Sequence, residues 1–191
     1  MTGIAAIVLA AGSSQRFGDE NKLLAPVDGK PLLSHVLDRI AGLPLAEKIV
    51  VVRPDDEAVM SLVREHAARI VENDSAADGM GTSIAAGVRH AGDVDGVMVM
   101  LGDMPRIRQS TCHELLAAFR EHPDKTIVVP TCERRRGHPV LFRRTHFSDL
   151  MALNDDTGAK HILAANAATL LSVPTTDTGV LADIDVPAYL R

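Results

Sequence analysis

Aromatic residues are scarce: 191 residues include no Trp, one Tyr and four Phe. A core must therefore be built from Val, Ile, Leu, Ala and Met. Stacking platforms for single-stranded nucleic acid are not expected from such a composition. Positive charge is not in surplus either. Lys and Arg number 20 against 25 Asp and Glu, a formal net charge of −5, which argues against a general nucleic-acid binder. Two cysteines, Cys112 and Cys132, make no disulfide framework and match no metal-ligand spacing, so they read as small apolar residues in a reducing compartment. Long apolar runs are missing as well. The run from Ile4 to Ala10 falls short of the roughly 20 residues that span a bilayer, and no basic stretch precedes it. These absences lead to the expectation of a cytoplasmic protein with neither nucleic acid nor membrane as partner.

What is present is an alternation of buried strands and amphipathic helices. IAAIVLA (4–10), KIVVV (48–52), RIVEN (69–73), GVMVML (96–101), TIVVP (126–130), PVLF (139–142) and TLLSVP (169–174) read as strands. Helices are expected over 31–43, 55–69, 81–91, 109–122, within FRRTHFSDLMAL, and over 158–167. ADID (182–185) is expected to close the sheet. The pattern predicts a single three-layer α/β domain over residues 1–191 with a mostly parallel sheet. In such a sheet the site lies beyond the carboxyl ends of the strands, which points to loops at 11–22, 73–83, 102–106 and near 183–185.

The first of these loops, AGSSQRFGDENK, exposes backbone N–H groups beside Gly12 and carries Arg16 and Lys22. It is neither a Walker A loop nor GxGxxG, because five residues separate Gly12 from Gly18 and Asp19 follows. Arg16 can grip a phosphate in a bidentate manner while Lys22 supplies a point charge; the plain alternative is a solvated turn. In LGDMP, Asp103 sits at the carboxyl end of a buried strand, where it can serve as a Mg²⁺ ligand alongside substrate phosphates or simply cap a turn. Gly79 and Gly81 precede a helix whose N-terminus offers free N–H donors to an anion or a nucleobase edge, with Thr82 or Ser83 as the N-cap in the plainer reading. The arginines of RRRGHP (134–139) suit a solvated face or attraction of a phosphorylated second substrate. His138, with no Ser or Cys nucleophile near it in sequence, reads as a structural or substrate-contacting group rather than a general base. Asp183 and Asp185, two positions apart, could meet Asp103 as a second metal ligand or end an exposed strand.

In this order, LAAGSSQRFGDENKLLAPVDGKPLL, GMGTSIAAGV, LGDMP, GHPVLF, DDTGAKHIL and DIDVP resemble the motifs of MobA-like nucleotidyltransferases. The later ones resemble the branch that includes molybdenum cofactor cytidylyltransferase. The resemblance implies a Rossmann-like nucleotidyltransferase domain. It implies that a nucleoside triphosphate and a phosphomonoester are joined with release of pyrophosphate, CTP and molybdopterin being the expected pair, with a molybdenum hydroxylase as the receiver of the product. By position it assigns Leu9, Ala10, Ala11, Gly12 and Ser13 to the base and ribose, and Asn73, Gly81 and Ser83 to nucleoside contacts. Arg16 and Lys22 would neutralise the triphosphate, and Asp103 with Asp185 would hold Mg²⁺. Gly137, His138 and Asp156 would face the acceptor. Guanylyl-transferring relatives read AGG where this chain reads Ala10-Ala11-Gly12, and the methyl of Ala11 favours cytidine over a purine. The chain departs from the branch at Asp155, where Gly is usual, and at Lys160, where Arg is usual. Two other functions fit the same motifs: nucleotidyl transfer to a sugar phosphate or another phosphorylated metabolite, and a non-catalytic cofactor chaperone or nucleotide sensor.

Overall fold

The computed structural model describes residues 3–12 and 21–184. Arg16, Ser13 and Asp185 lie outside the described residues. A central sheet runs in the order β10 (Leu170–Pro174), β7 (Ile127–Cys132), β9 (Val140–Arg143), β6 (Gly96–Leu101), β1 (Ile4–Leu9), β4 (Glu47–Val52) and β5 (Arg69–Glu72). The pairs β5–β4, β4–β1, β1–β6 and β7–β10 are parallel. Strand β9 runs antiparallel between β6 and β7, so the strands of this path are parallel apart from β9. From β1 the next parallel strand in the chain, β4, lies on one side, and β6 lies on the other. The carboxyl ends of β1 and β6 thus flank a topological switch point, where open α/β sheets bind ligands.

Alternation along β1 divides the core. Ile4, Ala6, Val8 and Ala10 belong to one apolar cluster with Leu33, Leu37, Val63, Leu115 and Leu116. Those partners come from α1 (Leu32–Ala41), α2 (Glu57–Glu65) and α4 (Gln109–Glu121). Ala5, Ile7 and Ala11 join the opposite cluster with Ile84, Val88, Leu150 and Ile162, from α3 (Met80–His90), α5 (Phe147–Met151) and α6 (Lys160–Ala165). Both faces of the sheet are covered, which is why the strands read as continuous apolar runs rather than alternating ones.

Several elements differ from the sequence reading. A small hairpin, β2 (Pro26–Val27) with β3 (Lys30–Pro31), forms around Asp28 and Gly29, whose φ values are +48° and +84°; an Asp-Gly pair is a strong hairpin-turn signal. A second tight turn at Glu133 and Arg134, both with positive φ, brings back β8 (Arg135–Arg136) onto the end of β7. Helix α2 is shorter than expected: the Asp56 side chain caps its start, accepting from the Val59 N–H at 3.2 Å, and the chain leaves the helix at His66 and Ala67, whose φ is +51°. Residues 182–184 form no strand. They run instead as a coil that donates the Ile184 N–H to the Asp103 carbonyl at 3.0 Å.

Candidate nucleotide and acceptor site

The chain leaves β1 and β6 side by side. The Gly102 N–H donates to the Leu9 carbonyl at 2.9 Å, and the Ala10 N–H donates to the Val51 carbonyl at 2.8 Å. Leu9 and Ala10 are therefore tied into the sheet, and the Ala10 methyl packs into the cluster on the far face. Ala11 and Gly12 continue past the last ladder bonds. With Leu9, they line a cavity of about 540 Å³ that also meets Ser83, Leu101 and Asp103.

Lys22, in the segment after the loop that follows β1, reaches Asp103, one of the residues lining the cavity. It opens a short 3₁₀ turn (Lys22–Leu24) whose cap is Asn21, the side chain of which accepts from the Leu23 N–H at 3.0 Å. Asn21 also donates to Asp56, the cap of α2, and Arg53 donates to the same carboxylate at 3.3 Å. The root of the loop is thus pinned across the ends of β4 and α2. From there the Lys22 Nζ donates to Asp103 Oδ2 at 2.7 Å. The pair is mostly shielded, with side-chain exposures of 16% and 21%, so water screens it weakly. The other oxygen, Asp103 Oδ1, is out of solvent and accepts no hydrogen bond from the described residues. An unsatisfied carboxylate oxygen of this kind is costly, and it suits a hard divalent cation that takes a single protein carboxylate plus phosphate oxygens and water. Among the described residues no group of three His, Cys, Asp or Glu is gathered for a metal.

The start of α3 is less open than the sequence suggests. Neither Thr82 nor Ser83 caps it; the cap position is Gly79, with φ +124°. A Cβ on Gly79 would lie 2.5 Å from the Asp156 backbone nitrogen, so the 155–156 loop presses directly on the helix start. The Gly81 N–H donates to the Asp155 carbonyl at 2.7 Å, and the Met80 N–H donates to Asp156 Oδ1 at 3.4 Å. Two of the first-turn donors expected to be free for an anion or a base edge are thereby occupied by the loop at Asp155 and Asp156. Asn73 is likewise engaged. Its Nδ2 donates to Thr82 Oγ1 at 2.9 Å and to Ser83 Oγ at 3.0 Å, and its Oδ1 accepts from the Ser75 N–H at 3.1 Å. Of Asn73, Gly81 and Ser83, only Ser83 lines the cavity beside Asp103.

A second cavity, of about 440 Å³, adjoins the first. Ile84, Val99, Val140, Phe142 and Leu163 give it an apolar wall, and Arg136, His138, Asp156 and Lys160 its polar edge. Gly137 and His138 are held there by the turn at Thr178–Leu181. The His138 N–H donates to the Val180 carbonyl at 2.9 Å, and a Cβ on Gly137 would sit 2.3 Å from that same oxygen. Burial pushes the His138 imidazole below its usual pKa, against the opposing pull of the Val99 backbone and the carboxylates of Asp103 and Asp183. A neutral His138 that feels Asp103 fits a contact role rather than that of a proton carrier. The three arginines part company: antiparallel pairing sets Arg136 opposite Thr131 and Arg135 opposite Cys132, and successive strand residues face opposite sides. Arg136 is the one that lines the cavity. Asp155 keeps an ordinary backbone without glycine. Its Oδ1 accepts from the Thr157 N–H at 3.0 Å and hydroxyl at 2.7 Å, bonds that also draw its pKa down.

Sequence reasoning passed over Met80, which lines both cavities. Its signal was an apolar residue at the exposed start of a glycine-flanked helix.

Comparison with known proteins agrees with this arrangement. The model of the MobA-like NTP transferase domain matches residues 6–170. The bifunctional protein GlmU of Paramagnetospirillum magneticum is 35% identical over 128 residues, which is 66% of this chain and 28% of that protein. This chain thus spans less than a third of that curated relative. The crystal structure of the Mycobacterium tuberculosis Rv0371c homolog from Mycobacterium sp. strain JC1 superposes with a TM-score of 0.81 at 26% identity, covering 96% of this chain and 90% of that one. Molybdopterin-guanine dinucleotide biosynthesis protein A from Archaeoglobus fulgidus shares the fold, with a TM-score of 0.71 at 18% identity over 97% of this chain and 94% of that one. Among the described residues no helix is long and apolar enough to cross a membrane. With a family model spanning most of its length and a switch-point cavity where that fold places its ligand, the chain belongs to the MobA-like NTP transferase family, a family of nucleotidyltransferases.

Proposed function

We propose that the chain transfers a cytidylyl group from CTP to the terminal phosphate of molybdopterin, releasing pyrophosphate, and that a molybdenum hydroxylase receives the product. The observation that carries this reading is the contact between Lys22 and Asp103, whose side chain lines the switch-point cavity. One cation and one carboxylate stand where a polyphosphate would lie, with a second cavity beside them for the acceptor. The likeness to a molybdopterin-guanine dinucleotide biosynthesis protein supports the acceptor class, and the methyl of Ala11 in the nucleotide cavity supports a pyrimidine.

The chemistry is an in-line displacement. An oxygen of the acceptor phosphate forms a bond to the α-phosphorus. The bond from that phosphorus to the bridging oxygen of the β-phosphate breaks, and pyrophosphate leaves with the electron pair. Asp103, through its unsatisfied Oδ1, would hold Mg²⁺ with help from Asp185. The ion, when bound, supplies neutralisation and alignment of the triphosphate oxygens. Lys22 would turn from Asp103 to the charge building on the leaving group, and Arg16 would share that charge. Ala11, Gly12 and Ser83 would seat the nucleoside, while Arg136, His138 and Lys160 would face the acceptor. Little covalent work falls to the protein, which acts by positioning and electrostatics.

The test is a turnover panel of the four NTPs against molybdopterin and a set of sugar phosphates, read as pyrophosphate release. CTP with molybdopterin is expected to be the fastest pair. Release with a sugar phosphate alone would move the acceptor assignment. Binding of CTP with no release for any pair would make the chain a nucleotide sensor.

A further inference from the structure

Among the described residues, Met80 is the large apolar side chain left exposed, at 40%. It is also one of two described residues that line both cavities, the other being Asp156. In-line transfer needs the attacking oxygen about 3–3.5 Å from the phosphorus, so the reacting atoms must meet where the two cavities join. Met80 and Asp156 are the residues at that junction.

The backbone beneath Met80 is fixed from several sides. Gly79 turns the chain into α3 with a φ that other residues rarely adopt. The Gly81 N–H is held by the Asp155 carbonyl at 2.7 Å. The Met80 N–H itself donates to Asp156 Oδ1. The Met80 sulfur packs towards Gly158, lying 3.3 Å from where a Cβ would stand there. A rigid support thus carries a flexible, unbranched and polarizable side chain into the space between two substrates. Leaving that side chain in water is unfavourable; a ligand on either side would cover it. Charge separates the two junction residues. Both reactants are polyanions, and the Asp156 carboxylate would repel them except where the α3 amide draws it away. Met80 meets them without charge.

Building on the nucleotidyl-transfer reading, we propose that Met80 is a positioning residue. Its thioether packs against the nucleotide on one side and the acceptor on the other, and sets the angle at which the acceptor phosphate meets the α-phosphorus. Such a residue acts in the ternary complex more than in the binary one.

The experiment compares wild type, Met80→Ala and Met80→Leu. CTP affinity is measured by calorimetry, and kcat and the acceptor KM by pyrophosphate release with the acceptor that turns over fastest in wild type. Met80→Ala is expected to lower kcat/KM for the acceptor at least about tenfold, a larger factor than any accompanying fall in CTP affinity. Met80→Leu, which restores apolar bulk, is expected to recover most of the loss. The inference is overturned if Met80→Ala keeps acceptor kcat/KM within about twofold of wild type, if Met80→Leu is no better than Met80→Ala, or if the loss simply follows a fall in melting temperature. A wild-type chain that binds CTP but releases no pyrophosphate with any acceptor would instead sink the transfer reading, and this inference with it, before any variant is compared.

Discussion

Lys22 Nζ and Asp103 Oδ2 are in contact at 2.7 Å although 81 positions separate them in the chain. The pair joins the root of the loop after β1 to the end of β6, the two segments that flank the switch point. It also means that the Lys22 ammonium occupies one side of the carboxylate a divalent cation would use.

Replacing either partner should therefore have separable effects. Lys22→Met and Asp103→Asn are each expected to cut turnover by about 10²–10³-fold, the scale of losing one preorganised electrostatic group. Circular dichroism should show the fold retained. Lys22→Met should at the same time bind Mn²⁺ more tightly than wild type in the absence of nucleotide, read by electron paramagnetic resonance. Near-normal turnover in both variants would remove the assigned roles, and unchanged Mn²⁺ binding would show that Lys22 and a cation do not compete.

Most of the frame was legible because burial on both sheet faces leaves unbroken apolar runs. Strand β6 falls at Gly96–Leu101 as the sequence predicts, and β1 ends at Leu9, one residue before the expected end at Ala10. The hairpin at Asp28–Gly29 was legible in principle, since Asp-Gly carries the turn signal, but two-residue strands have no periodicity to show. The turn at Glu133–Arg134 carried no glycine to mark it. The capping of α3 by Asp155 and Asp156 was not legible at all. It depends on a tertiary approach that no local propensity encodes, so the N–H groups of Met80 and Gly81 looked free. Arg136 could be told from Arg135 only once the pairing register of β8 was known.

The pressure of the 155–156 loop on α3 yields a stability prediction. Gly79→Ala places a Cβ 2.5 Å from the Asp156 nitrogen at a φ of +124°. Backbone strain of this kind costs about 1–3 kcal/mol, and the loop must also move. Urea denaturation should show a loss in that range or above, with weakened CTP binding in the surviving fold. A variant as stable as wild type would mean that the loop does not press on the helix.

Asp177 anchors the turn behind the second cavity, the one lined by Gly137 and His138. Buried at 2% exposure, its carboxylate accepts from the Arg108 N–H at 2.7 Å, the Thr111 hydroxyl at 2.8 Å and the Gly179 N–H at 3.0 Å. That turn carries Val180, whose carbonyl holds His138. Asp177→Ala strands three donors, each costing about 1–3 kcal/mol if it stays dry. The expected outcome is a large fall in melting temperature together with a raised acceptor KM. Thr111→Val removes one donor and should cost far less.

Burial lowers the pKa of both His138 and His146 from the usual 6.5. The unfolded chain therefore binds protons below that value before the folded chain does, and acid favours unfolding. Stability should be level above the unfolded value, fall as pH drops through about 6.5, and level again below the folded pKa values. The urea midpoint at about pH 5.5 should lie below that at about pH 7.5, and His138→Asn should narrow the gap. A gap unchanged in the variant would show that His138 does not titrate differently on folding.

Ala11 offers the sharpest test of base choice. It is buried beside the open space at Gly12, where a Cβ would meet nothing within 4 Å, and both residues line the cavity beside Asp103. One methyl group against a ligand discriminates by about 1–3 kcal/mol. Ala11→Gly enlarges the cavity by that methyl, so the ratio of kcat/KM for GTP over CTP should rise by about tenfold or more. The gain should come from improved GTP use as well as from loss of CTP use, which measuring each substrate alone would reveal. If the ratio does not move, the base does not rest on Ala11, and selectivity must be set from the 73–83 side of the cavity, where Ala76, Asp78 and Ser83 stand.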